Sequence, residues 1–432
     1  MFLQQVDLKA IEKLGLGAYS EVWRAEQWCA DGQQRKVIVR YLPVVANIVA
    51  FAREKEIYRR ALHQGGAGIP RLLEVRRVGV GYLQIFQDAP GEELKKRLEQ
   101  SPLSCEAALD LLIRLIKVLR SLNSWSVIHS DIKPDNLICD LNQRDIRLID
   151  LTDCFKPGAF YEYEHYVGDR CYTPPERMQG WLNTSSQVFM LGLTLWEMLT
   201  GVSPFKVSTK TPFLNAAQLR WGVLNMERLS DCPLWLQRLI AHMLHPLADK
   251  RPTLEQINTI LQYRTVLPPV QDDRGTVPMP GDEATAQLRL AQVGYHYPRF
   301  LMAVELEREG EQNKARHEYA ALANAGYSRA QNNLGSLLQN SGRYETAVAL
   351  FKAALKKGNP YAAFNLGRAY AAGQGVEKDL AAALHYFDWA ARHGHMQAQY
   401  RLAGLLEEVG RDAEAVFWRQ LAEAQERNAD TE

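Results

Sequence analysis

Four polar residues between positions 131 and 150 have the types and spacing that chemistry on a phosphate group requires. Asp131, Lys133 and Asn136 lie within one turn-rich segment, and Asp150 follows the alternating apolar run at 146–149. Phosphoryl transfer asks for metal ligands, a cation near the phosphate and an acceptor for the proton of the attacking hydroxyl. The four residues offer a candidate for each part, so they predict a phosphoryl-transfer site. The alternative is a polar loop between strands that happens to carry two acids.

A glycine-containing turn precedes this segment in the chain. Residues 11–25 have the pattern of two strands joined by a turn, with Gly15 and Gly17 where a backbone could approach phosphates closely. A hairpin turn without any ligand would give the same pattern. The position of the turn ahead of the segment at 129–136 favours a flap over a nucleotide.

The segment at 129–136 resembles the catalytic loop of the protein kinase family. Its pattern is His-x-Asp-x-Lys-Pro-x-Asn, and a hydrophobic strand and Asp150 follow it, as in the metal-binding turn of that family. The resemblance implies ATP and Mg²⁺ as cofactors. It implies that Asp131 and Lys133 are catalytic, and that Asn136 and Asp150 hold the metal.

The resemblance also implies a nucleotide site in the first ninety residues. The residues that match nucleotide contacts of the family are Leu14, Gly15, Gly17, Val22, Arg40 and Glu54. Arg40 stands where the family has the lysine of its third strand, and its pairing partner is Glu54 or Glu56, with spacing in favour of Glu54. Ile38 and the gatekeeper Phe86 are larger than usual, which predicts a crowded site.

Several positions depart from the family pattern, and they leave the activity open. They are Ser20 for the third glycine, Ser130 for the arginine before the catalytic aspartate, Thr152 for a glycine, Asp169 for a threonine and Gln187 for an anchoring aspartate. Asp169 would engage Lys133 or repel Asp131. Because the candidate base and metal ligands are all retained, the sequence still predicts an active serine/threonine protein kinase. A pseudokinase adaptor is the alternative, and a kinase for a small molecule is a third possibility. Glu176 and Arg251 match an ion pair of the protein kinase branch.

The 432 residues exceed what one hydrophobic core usually spans, and the composition changes along the chain. We predict an α+β two-lobed protein kinase fold at 8–264, an exposed Pro/Gly-rich linker at 265–289 and an all-α helical-repeat solenoid at 290–428. Similar segments recur after 32 and then 36 residues, which predicts four helix pairs beginning near 297, 328, 360 and 396. They resemble the Sel-like branch of tetratricopeptide repeats, which implies a bound protein partner; one irregular bundle is the alternative.

Composition narrows the remaining classes. A net charge of +1 argues against a nucleic-acid partner, and six scattered cysteines predict free thiols in a reducing compartment. The apolar run at 188–202 is shorter than a membrane span and predicts a buried helix. Without a visible signal peptide, we expect a cytoplasmic protein with no membrane span.

Overall fold

The computed structural model describes residues 7–16, 20–29, 31–152, 154–156, 172–180, 182–205, 211–271 and 274–429. The chain divides into two compact units that do not follow the predicted domains. The first unit combines Met1–Gly65, Pro70–Pro90 and Gln331–Glu432, and the second combines Gly66–Ile69 and Gly91–Ala330. The predicted domain boundaries stay predictions.

An antiparallel sheet forms the N-terminal part of the first unit. Its strands are β1 (Leu8–Leu16), β2 (Glu21–Trp28), β3 (Gln34–Leu42), β4 (Leu72–Val78) and β5 (Gly81–Gln87), in the order β1-β2-β3-β5-β4. Side chains alternate between the faces of a strand. Val37 and Val39 of β3 and Leu83 and Ile85 of β5 therefore share one face, where they are fully buried in an apolar cluster.

Helix α1 (Ile48–Gln64) packs against this sheet. Asn47 begins it, because its side chain accepts a hydrogen bond from the Ala50 amide, and Gly65 ends it in a left-handed conformation with φ of 75°. Two aromatic contacts fix the helix. The ring of Phe51 lies 4.4 Å from that of Tyr82, and the ring of Tyr58 lies 5.1 Å from that of Phe86.

The second unit begins with two small sheets and a set of helices. The strands are β6 (Glu92–Glu93), β7 (Ile128–His129), β8 (Leu137–Asp140), β9 (Asp145–Leu148) and β10 (Cys154–Phe155), with β6-β8-β9 in one sheet and β7-β10 in the other. The helices are α2 (Leu94–Gln100), α3 (Cys105–Ser124), α4 (Thr184–Thr200), α5 (Pro212–Trp221), α6 (Leu234–Met243) and α7 (Leu254–Tyr263). This succession of a five-stranded sheet with one helix and then a mainly helical part confirms the predicted α+β two-lobed class.

Helix α4 is the buried core helix that the apolar run predicted. Its residues from Ser186 to Met198 are all buried, and Gly201 ends it with φ of 72°. Arg251 forms the predicted ion pair, since its two terminal nitrogens lie 2.8 and 2.9 Å from the carboxylate oxygens of Glu176. Both side chains are buried, so the ion pair joins the segment before α7 to the segment before α4.

The segment predicted as a Pro/Gly-rich linker makes specific contacts within the second unit, while its assignment as a linker stays a prediction. The carbonyl of Pro268 lies 2.9 Å from His242 Nε2, and Arg274 donates to the carbonyl of Leu244 at 3.1 Å. Helix α8 (Glu283–Gln292) begins inside the segment and packs on α5. Glu283 accepts hydrogen bonds from the first backbone amides of α5 at 2.7 and 2.9 Å.

The remaining chain consists of helix pairs, as the recurrence predicted. The pairs are α9 (His296–Arg308) with α10 (Gln312–Asn324), α11 (Ser328–Asn340) with α12 (Tyr344–Lys356), α13 (Pro360–Ala372) with α14 (Leu380–Arg392), and α15 (Met396–Glu408) with α16 (Asp412–Ala429). The first helices begin within one residue of the predicted positions. Small residues allow close packing: a Cβ on Gly335 would lie 2.6 Å from the Phe351 ring, and one on Gly367 would lie 2.6 Å from the Phe387 ring.

The five described cysteines are free thiols, in agreement with the sequence, while Cys171 lies outside the described residues. The Sγ atoms of Cys105 and Cys232 are 3.2 Å apart, and burial raises the pKa of Cys232 to about 12. Within the described part of the chain, every helix is too short or too polar to cross a membrane.

Candidate active site

The hairpin of β8 and β9 brings two of the predicted site residues together in the second unit. Leu137 of β8 pairs with Leu148 of β9, and the next backbone contact joins the Ile149 amide to the Asn136 carbonyl at 2.9 Å. Asn136 therefore directly precedes β8, and Asp150 lies two residues after the end of β9. The pattern of apolar residues that builds this hairpin is what brings the backbone of Asn136 and the backbone next to Asp150 together.

Asp131 is held by the two residues that the sequence grouped with it. Its Oδ2 accepts a hydrogen bond from Asn136 Nδ2 at 2.8 Å and lies 3.0 Å from Lys133 Nζ. Asn136 Nδ2 also donates to the Asp131 carbonyl at 2.9 Å. All three side chains are largely buried, so the carboxylate has a fixed orientation and a compensating positive charge.

His129 links the catalytic loop to the segment around Asp150. Its Nδ1 accepts a hydrogen bond from the Asp131 amide at 3.1 Å, so the ring proton must be on Nε2, which donates to the Asp150 carbonyl at 3.0 Å. Burial lowers the pKa of His129 and keeps the ring neutral. The histidine side chain thus joins the backbone of Asp131 to the backbone of Asp150.

Asp150 has an uncommon backbone conformation with φ of 57°. Aspartate tolerates this left-handed region better than most residues, and such conformations cluster at functional sites. Thr152 stabilises it, because its hydroxyl donates to Asp150 Oδ1 at 2.7 Å and its amide lies 3.3 Å from the same atom. The threonine that replaces the usual glycine therefore orients the carboxylate.

The residues around Asn136 and Asp150 fit a magnesium ion. Both bonds of the Asn136 amide nitrogen go to Asp131, so the amide oxygen lies on the opposite side and is the atom that could bind metal. Mg²⁺ uses one or two carboxylate or amide oxygens and completes its shell with water and phosphate oxygens. In the described residues, no group of three or more histidine, cysteine or acidic side chains forms a separate metal site.

The first unit aligns the residues predicted to contact the nucleotide. In the register of the sheet, Gly15 pairs with Val22, Val22 with Arg40, and Arg40 with Gln84. Leu14 lies at the irregularity of β1 just before this row. Gly17 lies outside the described residues. Cross-strand pairing thus gathers sequence-distant residues into one row, although their contact with a nucleotide stays a prediction.

Arg40 forms an ion pair with Glu54, which confirms the pairing that spacing favoured. Arg40 Nη1 lies 2.9 Å from Glu54 Oε1, and the Glu54 side chain is only 1% exposed. Glu56 instead binds Arg59 and Arg60 on the surface of α1, and these bonds lower the pKa of its carboxyl to about 2. The alternative that the sequence left open is thereby excluded.

Gln84 lies opposite Arg40 in the sheet and was not singled out in the sequence. It is fully buried beside Arg40, and neither atom of its amide has a hydrogen-bond partner among the described residues. The feature of the sequence that could have indicated it is that Gln84 is the one amide side chain within the mainly apolar run 82–86. Ile38 pairs with Phe86 two positions along the same register, so two bulky side chains follow the row on the same face of the sheet.

Two departures from the kinase pattern have clear structural surroundings. Ser130 is buried, and its carbonyl accepts from Arg177 Nη1 at 3.3 Å. Gln187 is buried in α4, and its amide has no hydrogen-bond partner in the described part of the chain. Asp169 lies outside the described residues.

Comparison with known proteins identifies the family. The model of the protein kinase domain matches residues 8–261, which is more than half of the chain, so the chain belongs to the protein kinase family. It is 26% identical over 260 residues to the membrane-associated tyrosine- and threonine-specific cdc2-inhibitory kinase of Drosophila melanogaster, covering 59% of this chain and 47% of that protein. It is 29% identical over 274 residues to the serine/threonine-protein kinase PknA of Nostoc sp., covering 60% of this chain and 47% of that protein.

The chain thus spans about half the length of these curated relatives. A crystal structure of Rad53 residues 1–466 in complex with AMP-PNP is also similar, with a TM-score of 0.48 and 19% identity. That match covers 58% of this chain and 63% of the other.

Proposed function

We propose that this protein is an ATP-dependent serine/threonine protein kinase. The observation that carries the proposal is the bonding of Asp131 to Lys133 and Asn136, beside an Asp150 whose carboxylate is oriented by Thr152. Membership of the protein kinase family and the similarity to a named serine/threonine kinase support it. Lys133, two residues after the catalytic aspartate, favours a protein hydroxyl as the acceptor.

In this mechanism each polar residue has one task. Asp131 orients the hydroxyl of the substrate and accepts its proton, while Lys133 balances the negative charge of the group in transfer. Asn136 and Asp150 would hold Mg²⁺, which supplies positive charge to the phosphates when bound. Arg40, oriented by Glu54, supplies the cation that the family takes from a lysine.

A pseudokinase adaptor is the second candidate, and two observations favour it. Arg40 is wider than the lysine it replaces, and a planar guanidinium is not equivalent to an ammonium where geometry is tight. The side-chain amide of Gln187 has no hydrogen-bond partner among the described residues, at a position where the family anchors its catalytic loop. Both observations concern residues that support the site, whereas the contacts of Asp131, Lys133, Asn136 and Asp150 support the kinase proposal.

We further propose that the helix pairs are of the Sel-like type and bind a protein partner. The recurrence of first helices at 296, 328, 360 and 396 supports this, because helical repeats commonly present side chains to peptides or helices. A cytoplasmic location is part of the same proposal.

The kinase proposal is tested by Asp131→Asn, with Asp135→Asn as a matched control in the same loop. Asparagine keeps the size of the side chain but cannot accept the proton, so we expect phosphotransfer to fall by about 10²–10⁴-fold while the protein stays folded. The measurement is mass spectrometry of phosphosites after incubation with Mg-ATP and a generic protein substrate.

The control variant should retain the wild-type rate. Equal rates for the wild type and Asp131→Asn would reject the catalytic assignment. Absence of any phosphate incorporation by the wild type would favour the adaptor.

A further inference from the structure

The C-terminal helix pairs pack against the N-terminal sheet and α1 within the first compact unit. Val44, Ile48 and Val80 are partly buried against an apolar cluster of α13 to α16. That cluster is formed by Ala363, Ala390, Ala391, Ala398, Leu402, Ala403, Leu406, Ala415, Trp418 and Leu421. Beside it, the guanidinium of Arg77 lies 4.3 Å from the centre of the Phe417 ring. The helix pairs therefore have an intrachain contact that the sequence did not predict.

The turn between α14 and α15 contacts the residue that begins α1. His393 forms an antiparallel bridge with Asn47, whose side chain caps the first turn of the helix. The His393 ring stacks on Trp389 with centroids 3.6 Å apart, and its Nδ1 donates to the Trp389 carbonyl at 2.7 Å. Gly394 has φ of 91°, and a Cβ there would be 3.7 Å from the Ala46 backbone.

These contacts are made at the first turn of the helix that carries Glu54. Ile48 is the first residue of α1, and Glu54 follows on the same rigid element less than two turns later. Glu54 reaches Arg40 only if α1 keeps its position, because the ion pair depends on a distance of 2.9 Å. The helix pairs therefore contact the first turn of the same helix that holds Glu54 in its ion pair with Arg40.

We propose that the turn at His393 and the apolar cluster beneath it are positioning elements for phosphotransfer, which hold α1 so that Glu54 orients Arg40. This proposal rests on the proposed kinase function. It assigns the helix pairs a second task besides partner binding. A partner protein that shifts α14 or α15 would therefore change kcat/KM for ATP.

Ile48→Asp tests the proposal in the full chain. An acid at the first position of a helix is favourable to the helix itself, so the variant removes the apolar contact without weakening α1 intrinsically. Val416→Asp is the matched control, because Val416 lies beside Phe417 on α16 but is 49% exposed. Ile48→Val keeps the contact and should behave as the wild type.

Two readouts are measured. Hydrogen exchange of the α1 amides from 51 to 61 should become faster in Ile48→Asp, and unchanged in the two controls. The value of kcat/KM for ATP should fall at least about five-fold, with no further loss when Glu54→Gln is added, because both changes act on one pair.

Unchanged exchange in Ile48→Asp would overturn the positioning role, whatever the activity. Additive kinetic losses in the double variant would also overturn it. If the wild type transfers no phosphate, the kinase proposal fails, and the exchange data alone decide whether the helix pairs position α1.

Discussion

At the scale of a single residue, Arg40 is the position that best distinguishes an active kinase from an adaptor, because it replaces the lysine of the family. Its side chain is 13% exposed and pairs with Glu54, which is 1% exposed. Removing one member of a buried pair leaves an uncompensated charge and costs about 3–5 kcal/mol. A lysine at this position has one terminal nitrogen, so it cannot hold Glu54 and reach a phosphate through separate nitrogens as a guanidinium can.

We therefore expect Arg40→Lys to lower kcat/KM for ATP by about ten-fold rather than restore a better site. Steady-state kinetics with varied ATP give the ratio. Arg35→Lys is the control, since Arg35 lies on the same strand, is exposed and donates hydrogen bonds to Gln27. A lysine variant faster than the wild type would indicate a decaying site and favour the adaptor.

The same residues mark what sequence can and cannot predict about the site. The catalytic loop is local, so its residue types and spacing were enough to group Asp131, Lys133 and Asn136. The pairing of Glu54 with Arg40 could be favoured but not decided, because it depends on how α1 is rotated against the sheet. The burial of Gln84 without a hydrogen-bond partner depends on cross-strand neighbours, which no local pattern contains.

At the scale of elements, Glu283 connects two helices that are far apart in sequence. Its carboxylate accepts hydrogen bonds from the amides of Phe213 and Leu214 in the first turn of α5. A carboxylate at a helix N-terminus satisfies amides that have no partner in the helix. We expect Glu283→Ala to lower the free energy of unfolding by about 1–2 kcal/mol.

Thermal unfolding of Glu283→Ala and of Glu309→Ala, an exposed glutamate of the same unit, provides the comparison. Equal midpoints would mean that α8 is not fixed on α5 in solution.

His395 begins α15 and makes the stability of the helix pairs sensitive to pH. Its Nδ1 accepts a hydrogen bond from the Ala398 amide at 3.1 Å, and burial lowers its pKa from 6.5 to about 4. The unfolded chain binds the proton more readily, so stability is complete above pH 6.5 and is lost as the pH falls toward 4. We expect this group to contribute a loss of about 2 kcal/mol at pH 5.

His395→Asn keeps a capping side chain but removes the titration, so its stability should fall less between pH 7 and pH 5. Urea unfolding followed by circular dichroism measures the difference. His385→Asn is the control, because His385 is an exposed histidine on the preceding helix α14. The same slope in wild type and His395→Asn would contradict the assignment.

The elements themselves were largely predictable. Periodic small and apolar residues placed the first helices of the pairs within a residue, because each pair repeats the same local packing problem. The proline and glycine content of the segment at 265–289 predicted a linker, but it did not predict the contacts of this segment or the helix that begins in it. Its contacts are long-range hydrogen bonds and packing against α5 and α6, which composition does not encode.

At the scale of the whole molecule, the two ends of the chain belong to one compact unit. The strands and α1 occur in the same unit as residues 331–432, while the second unit contains the middle of the chain. The sequence predicted a kinase fold at 8–264 and a solenoid at 290–428 on either side of a linker, and these boundaries stay predictions. Val44, Ile48 and Val80 would lose their apolar neighbours if the helix pairs were removed.

We expect a chain that ends at residue 275 to unfold at least about 5 °C below the full chain, since each of these side chains contributes roughly 1 kcal/mol by burial. The truncated chain should also bind a hydrophobic dye before unfolding. Differential scanning calorimetry of both chains gives the shift. A truncated chain as stable as the full one would restore the picture of two independent halves.

Placing both ends of the chain in one unit has a consequence for synthesis in the cell. The strands leave the ribosome first, and about 240 residues separate Pro90 from Gln331. At roughly 5–20 residues per second, the nascent sheet and α1 wait on the order of tens of seconds for the helices that cover Ile48. During that interval the apolar side chains are open to chaperones, and the ion pair of Arg40 and Glu54 acquires its full support only after the helices up to Leu421 have been synthesised.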